Sequence, residues 1–536
     1  MDQHTPLLDQ NLPAQAPATA TAPAGQLALL CAVRFIDPLT FTQIFPYINQ
    51  FLSHLHLIEH QSQIGFYSGL VESTFAFFQL CSIYQWAHLS DSIGRRPVIL
   101  AGTFGLAVAT VFLGFAASLP AILLSRSLGQ RPSLTVATAP RLNSGLPPFF
   151  TPSWVNLQTP QIKQPLFQFT VCFGPWATLL GIPFPFFPGP TNATSPTSPL
   201  IGGALADPAA QFPGVFDYPF FRDYPYFLPC FVTGMFALLV GVLVACYLEE
   251  TLPSKRAGRN HSVLQESPST VESTSPQVSS QVRFQPHLDA AGLNDAPPPM
   301  TMAQLLRIPV IRALTFSGVA LCFTATAFDA LFVLFCYTPI HLGGLSFSAS
   351  HIGYSLAVAG TSSILIQISC LPTLLTHINH AKLYNICMFF WPAAYLALPF
   401  LNVIARRGSL GHNEDKNLLP SALYAVWILI IAIMIMSRIG CLAYSISLVL
   451  VKQNAPSPSD LGKTNAIVLW GMCFARAFAP AFVSSIFAVS IDMHIFGGFL
   501  WLVIMVIISF AGCVISLSIS HSEGYIDDNV VNARLD

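Results

Sequence analysis

Long apolar runs, separated by short polar segments, dominate the chain from residue 26 to residue 520. A helix that crosses a bilayer needs about 20 mostly apolar residues. Ten runs reach this length: 26–48, 64–87, 97–118, 226–248, 310–340, 352–376, 383–405, 420–450, 464–490 and 495–520. Because a helix satisfies its own backbone hydrogen bonds in lipid, the pattern predicts an all-α integral membrane protein.

Two weaker runs raise the expected number of spans to twelve. One is short, at 119–129, and the other, at 166–187, is interrupted by Pro175, Pro183 and Pro185. Proline in a helix interior costs about 3 kcal/mol, so these two spans, the fourth and the fifth, are expected to be atypical.

A polar stretch at 249–306 divides the apolar runs into two groups. It is rich in Ser, Pro and Gln and almost free of large apolar residues, which predicts a disordered cytosolic linker. The expected architecture is therefore two six-helix halves, at 26–248 and 307–520. Residues 1–25 and 521–536 are predicted to be cytosolic tails, the first of them disordered.

Composition supports the membrane prediction. Only 9% of the 536 residues are charged, whereas soluble domains carry about 25%, and 53% are hydrophobic. A net charge of −1 gives no indication of a nucleic-acid partner. The twelve cysteines are scattered, mostly within apolar runs and without the spacing of metal ligands, so no metal or cofactor is expected.

The placement of Lys and Arg predicts the orientation. With both termini and the linker in the cytosol, fifteen of the 23 Lys and Arg residues fall on cytosolic segments, four fall outside and four lie within spans. Cytosolic loops are enriched in these residues, so this orientation with twelve spans is favoured.

A string of polar and small residues lies between the second and third runs, from Leu89 to Pro97. Gly94 permits a tight turn, and Pro97 suits the first turn of the next helix. Arg95 and Arg96 would hold the loop at the cytosolic face, and Asp91 can pair with a cation or a helix N-terminus. An ordinary charged turn is the alternative interpretation.

This string resembles the loop 2–3 signature of the major facilitator superfamily, G-x-L-a-D-r-x-G-r-[rk]. The resemblance implies the major facilitator fold, and it implies that Asp91, Gly94, Arg95 and Arg96 act as a cytosolic latch between the two halves. Two positions depart from the signature, because Ala87 replaces the first glycine and Ser92 replaces a basic residue.

Further strings resemble a fungal branch of that superfamily, related to tetracycline-type proton antiporters and zinc-induced-facilitator-like proteins. They lie, in order along the chain, at 34–38, 45–47, 69–73, 248–253, 454–457, 461–462 and 476–480. Arg126 matches the fourth-span arginine that the family associates with proton coupling.

Residues 130–199 do not match the fourth and fifth spans of that family, and they are crowded with proline. Aperiodic sequence between two matching segments suggests a retained intron or a shifted reading frame in the gene model. A genuine insertion of the lineage is the alternative. In either case this stretch is not expected to form a regular pair of helices.

Ionisable residues within spans are costly, by about 2.5–3.5 kcal/mol, and are usually functional. The candidates for a coupling or substrate path are Arg34, Asp37, Glu72, Arg126, Asp329, Arg438 and Arg476. Arg34 and Asp37 share a helix face, so they can form either part of the path or a salt bridge that only orients helices. Glu72 and Asp329 can carry protons or serve as hydrogen-bonded packing groups.

The resemblance implies a secondary active transporter of a small solute that works by alternating access, coupled to protons, with efflux or antiport favoured. The implied partners are the solute, protons and the lipid bilayer, with a monomer as the expected state, in the plasma membrane or the vacuolar membrane. No phosphate-binding loop and no catalytic set within the spans is found, so an enzyme is not expected. The alternatives are a non-transporting sensor on the same scaffold and an inactive product of a faulty gene model.

Overall fold

The computed structural model describes residues 24–55, 63–129, 196–248, 300–408, 419–457 and 460–532. Within these ranges every regular element is a helix and no strand occurs, as the apolar runs predict. The all-α fold class is confirmed. Most of the predicted tail at 1–25 and most of the predicted linker at 249–306 lie outside the described residues, which exclude 1–23 and 249–299.

Ten helices lie in the described residues before residue 249. They are α1 (Ala24–Thr42), α2 (Ile48–His54), α3 (Ile64–Ile93), α4 (Arg95–Gly114), α5 (Leu119–Leu128), α6 (Thr197–Leu205), α7 (Pro208–Gln211), α8 (Pro213–Phe216), α9 (Pro219–Asp223) and α10 (Phe227–Tyr247).

Eight α-helices form the remaining described part. They are α11 (Met302–Arg307), α12 (Pro309–Tyr337), α13 (Ala349–Ser369), α14 (Leu371–His377), α15 (His380–Gly408), α16 (Pro420–Gln453), α17 (Leu461–Asp492) and α18 (Leu500–Asn532). Thr301 begins α11 with a capping box, so helical structure starts slightly before the predicted boundary at residue 307.

Eight of the described helices are long and apolar enough to cross a membrane: α4, α10, α12, α13, α15, α16, α17 and α18. The remaining two long runs are occupied by α1 and by the 30-residue α3. Each of the ten predicted runs therefore contains a helix. Several boundaries differ. The first helix, α1, ends at Thr42 before a turn, the run at 352–376 is divided between α13 and α14, and α18 starts at Leu500 after a 3-10 helix and continues to Asn532.

The two atypical spans are present only as short pieces in the described part of the chain. The ten-residue α5 occupies the run at 119–129, and the nine-residue α6 follows the proline-rich stretch. The run at 166–187 falls within 130–195, which lies outside the described residues.

The first contact between the halves is the α3–α17 seam, where α3 packs against α17 in antiparallel orientation. A Cβ atom added to Gly69 would lie 2.8 Å from the Pro480 carbonyl oxygen and 2.8 Å from the Ser484 Cβ. The Ala481 N–H donates to Ser73 Oγ at 2.9 Å across this seam. Small residues thus let the two backbones approach closely.

The second contact is the α6–α13 seam, which joins the halves in the same way. A Cβ on Gly203 would lie 2.6 Å from the Ala349 carbonyl oxygen, and one on Gly353 would lie 2.7 Å from the Pro199 carbonyl oxygen. The Ser350 hydroxyl donates to the Gly203 carbonyl oxygen at 3.1 Å. Each seam therefore combines glycine contacts with one hydrogen bond between a backbone group and a serine of the other half.

Both seams lie near the end of the bundle that carries α2. The α3–α17 seam involves the first turns of α3, which follows α2 in the chain, and Gly202 of α6 touches the turn between α1 and α2. Tyr226, at the start of α10, stacks on Tyr47 beside α2 with 5.2 Å between the ring centroids. We call this end of the molecule the α2 end.

Candidate functional site

A buried ion pair joins two helices of the second half. Arg438 on α16 donates from Nη2 to the Asp329 carboxylate on α12 at 2.6 Å, and it donates from Nε to Ser437 Oγ at 3.2 Å. The Arg438 side chain is fully buried, and the Asp329 side chain is largely so. A buried charge needs such a partner, so each residue fixes the other in place.

Glu72 and Arg126 are the corresponding charged groups of the first half. Glu72 lies on α3 and Arg126 lies on α5, and both are buried. Glu72 interacts electrostatically with Arg126 and with Asp329 of the other half. The charge of Glu72 is therefore influenced by both halves, and ionisable residues within spans are usually functional.

Phe41, on α1, lies between two arginines. The guanidinium carbon of Arg126 lies 5.3 Å from the centroid of its ring, and that of Arg476, on α17, lies 4.8 Å from the same centroid. Arg126 also lies over the ring of Phe75, at 4.6 Å. Cations at this distance from an aromatic face are stabilised by the ring quadrupole, so Phe41 links arginines from both halves.

A small cavity of about 20 Å³ lies where these groups meet. It is lined by residues of α1 and α3 in the first half and of α12 and α17 in the second. The lining residues are Phe41, Thr42, Phe45, Glu72, Ala76, Thr326, Asp329, Ala330, Arg476 and Pro480. Three of the charged residues predicted from the sequence, Glu72, Asp329 and Arg476, thus share one cavity between the halves.

Arg126 and Arg438 are not among the lining residues, but each interacts with one of the acids that are. Arg126 accompanies Glu72, and Arg438 binds Asp329. The cavity therefore presents acidic, basic and aromatic groups together.

Arg34 and Asp37 lie elsewhere, on α1, and line neither this cavity nor the other cavity described between the halves. Arg34 Nη1 and an Asp37 carboxylate oxygen are 3.8 Å apart, as expected for residues three positions apart on a helix. The geometry supports a salt bridge within α1. A role of this pair in the transport path stays a prediction.

The loop between α3 and α4 has the turn that its sequence predicts. Gly94 adopts φ 116°, a conformation that residues with side chains rarely adopt, and Pro97 lies in the first turn of α4. Arg96 Nη2 donates to the Ala245 carbonyl oxygen at 2.6 Å, which ties α4 to the end of α10. This contact lies within the first half, and the side chains of Asp91 and Arg95 lie outside the described residues, so the latch between halves stays a prediction.

Aromatic members of the site were not predicted from the sequence. The apolar runs are rich in phenylalanine, so nothing in their composition distinguishes Phe41, Phe45 and Phe75. The signals available from the sequence were the position of Phe75 three residues after Glu72 and the position of the other two in the first run. In the described ranges, no three His, Cys, Asp or Glu side chains gather closely enough to hold a metal ion.

Two groups of spanning helices that enclose a charged cavity define the class of protein, a polytopic membrane transporter. The chain belongs to the major facilitator superfamily. It is 34% identical over 514 residues to the major facilitator-type transporter psiT2 of Psilocybe cyanescens, an alignment that covers 93% of this chain and 90% of that protein. No protein-family model matches the sequence.

More distant relatives belong to the same superfamily or are named as efflux pumps. The chain is 27% identical to the multidrug transporter mfsB of Aspergillus fumigatus, over 85% of this chain and 77% of that one. It is 28% identical to the efflux pump azaK of Aspergillus niger, over 90% and 85% of the two chains. The chain is accordingly a multi-pass membrane transporter, and its superfamily consists of transporters and not of enzymes.

A solved structure has the same fold. A bacterial homologue of the human lysosomal transporter Spinster, in an inward-facing and occupied conformation, superposes with a TM-score of 0.53 at 15% identity. The superposition covers 92% of this chain and 96% of that one. The predicted major facilitator fold is thus confirmed.

Proposed function

We propose that the protein moves a small solute across its membrane by alternating access, in exchange for protons, in the direction of efflux. One observation carries this proposal: the cavity between the halves is lined by Glu72, Asp329 and Arg476, contributed by both halves. A solute bound there touches both bodies whose relative motion would carry it across.

The two seams support alternating access. They join the halves at the α2 end through glycine contacts and single hydrogen bonds, and a rocking motion of the halves would break both seams together. With the termini in the cytosol, as the Lys and Arg distribution predicts, this end faces away from the cytosol. We therefore assign the structure to the state that is closed on the non-cytosolic side.

The surroundings of Glu72 support proton coupling. Its carboxyl group interacts with Arg126 of its own half and with Asp329 of the other half. Gain of a proton by Glu72 would release Arg126 from an opposite charge and remove a like charge from the neighbourhood of Asp329. Proton binding would thus change the interaction between the halves, which is the requirement for coupling protonation to their motion.

The names of the relatives support efflux as the direction, because they include an efflux pump and a multidrug transporter. The membrane concerned would be the plasma membrane or the vacuolar membrane. We propose a monomer as the working unit, since the cavity is built from the two halves of one chain.

Flux measurements in sealed vesicles test this function. Purified protein is reconstituted, and a panel of organic solutes is offered with and without an imposed pH gradient. We expect at least one solute to accumulate against its gradient only when the pH gradient is present, and a protonophore to abolish the accumulation. Solute flux that is the same with and without the gradient would contradict proton exchange, and flux of no solute would contradict transport.

A further inference from the structure

The segment between α6 and α10 is too short to span a membrane and unusually apolar for a connection. We call Asp207–Tyr226 the aromatic segment. It consists of α7, α8 and α9, which have four, four and five residues and each begin with a proline. It lies at the α2 end, where Tyr226 packs on Tyr47.

Large apolar side chains of this segment are exposed. Phe212 is 46% exposed, Val215 65%, Tyr218 61% and Phe220 41%. A contiguous exposed apolar surface is uncommon in water and marks a surface that contacts another phase or partner.

The aromatic surface continues onto two helices that cross the membrane. The ring of Phe220 lies 5.0 Å from that of Phe227 at the start of α10 and 6.3 Å from that of Phe115, which follows α4. Phe227 in turn stacks on Phe231, an exposed residue of α10, at 5.3 Å. The ring contacts therefore connect the aromatic segment to an exposed side of α10.

The same segment also carries exposed charge. Arg222 donates to the Asp217 carboxylate through Nε at 2.8 Å and through Nη2 at 2.5 Å, and both side chains are exposed. Phenylalanine and tyrosine next to charged groups, at the end of a spanning helix, form the composition that favours the boundary between lipid and water.

We propose that the aromatic segment lies in the headgroup region of the bilayer, with Phe212, Val215, Tyr218 and Phe220 inserted among the lipids. The partner is the phospholipid surface at the α2 end of the protein. The Arg222–Asp217 pair then faces water or the lipid headgroups.

The position of this segment connects the lipid surface to the α6–α13 seam. Gln211 Nε2 donates to the Gly203 carbonyl oxygen at 3.2 Å and to the Ala206 carbonyl oxygen at 2.6 Å. Gly203 is the residue whose carbonyl oxygen also accepts from Ser350 of the other half. Lipids that hold the aromatic segment thereby hold the backbone of one seam.

Depth-dependent fluorescence quenching tests the location. Tyr218→Trp is reconstituted in phosphatidylcholine vesicles that contain a nitroxide either on the headgroup or deep in the acyl chain, and the wild-type signal is subtracted. We expect the added tryptophan to be quenched most by the headgroup nitroxide. Leu239→Trp, at an exposed position in the middle of α10, serves as the matched control and should be quenched most by the deep nitroxide.

Two results would overturn the proposal. Quenching of the Tyr218→Trp signal by aqueous iodide but by neither nitroxide would show that the segment projects into water. Strongest quenching by the deep nitroxide would show that it enters the membrane core. Phe212→Trp repeats the measurement at a second position, so that a local distortion at residue 218 does not decide the result.

Discussion

Burial makes the charged side chains of the spans depend on their partners. Arg438 and Asp329 satisfy each other at 2.6 Å, Arg126 accompanies Glu72, and Arg126 and Arg476 both lie against Phe41. An isolated charge in a membrane interior is costly, so these contacts explain how the chain tolerates five ionisable residues around one cavity.

Removal of one partner of the buried pair should destabilise the protein. In Asp329→Asn the charge of Arg438 loses its partner, and we expect the free energy of unfolding to fall by about 3–5 kcal/mol. Thermal unfolding of the purified protein in detergent measures the change. Asp217→Asn, which breaks the exposed pair with Arg222, is the control and should lower the free energy of unfolding by at most about 1 kcal/mol. Equal unfolding temperatures for wild type and Asp329→Asn would show that the pair does not stabilise the fold.

The sequence predicts some contacts of these charged residues and not others. The spacing of Arg34 and Asp37 within one helix predicts their contact, and the structure confirms it. The approach of Glu72 to Asp329 depends on how distant helices pack, and no local pattern contains that information. The apolar character of a span likewise hides the role of Phe41, because phenylalanine suits lipid and a cavity wall equally.

At the level of the helices, glycine residues lie where α3 of the first half contacts α17 of the second. Gly65, Gly69 and Ser73 recur every fourth residue on α3 and therefore lie on one face of the helix, which packs against α17. Close packing of this kind is stable without large side chains. Few interlocked side chains therefore have to separate when the halves move.

A single methyl group should disturb the α3–α17 seam. In Gly69→Ala the new Cβ would lie 2.8 Å from the Pro480 carbonyl oxygen, so α3 must move away from α17. We expect the hydrogen bond from Ala481 N–H to Ser73 to weaken and the peptide that contains Ala481 to exchange its amide hydrogens faster. Hydrogen–deuterium exchange with mass spectrometry measures this.

Gly105→Ala supplies the control for that experiment. Gly105 lies in α4, and a Cβ there meets no atom within 4 Å. We expect this variant to be stabilised by about 0.5–1 kcal/mol through helix propensity and to leave the exchange of the Ala481 peptide unchanged. The same exchange rate in Gly69→Ala and Gly105→Ala would mean that the seam does not depend on the glycine.

Hydropathy predicts which segments form spanning helices but not how they end. The apolar run at 26–48 predicts one span, yet α1 ends at Thr42 and the chain turns before α2. Hydropathy does not detect this turn because apolar residues continue through it. Proline at the start of α7, α8 and α9 breaks the aromatic segment into short helices, which a search for spans does not detect.

At the level of the whole molecule, the two halves make the cavity, and the segment between α10 and α11 connects them. The division into halves follows from the sequence because a polar stretch of this length cannot lie in lipid. The number of complete spans does not follow from it, since the fourth and fifth are represented among the described residues only by α5 and α6.

The orientation in the membrane can be tested with the intact protein. We expect the linker to lie in the cytosol, because fifteen of the 23 Lys and Arg residues then fall on that side. Trypsin added to sealed, right-side-out vesicles should leave the linker intact and should cut it at Lys255 or Arg256 only after permeabilisation. Cleavage of the linker in sealed vesicles would show that the orientation is the reverse of the predicted one, with the α2 end in the cytosol.

We propose that Glu72 couples protons to movement of the solute, and a comparison of two kinds of flux in one variant tests this coupling. In Glu72→Gln, a neutral side chain of nearly the same shape, proton exchange is lost but the cavity is kept. We predict that Glu72→Gln no longer accumulates solute against its gradient when a pH gradient is imposed, while it still exchanges labelled for unlabelled solute across the membrane. Accumulation by Glu72→Gln at the wild-type level would show that Glu72 does not couple protons to transport.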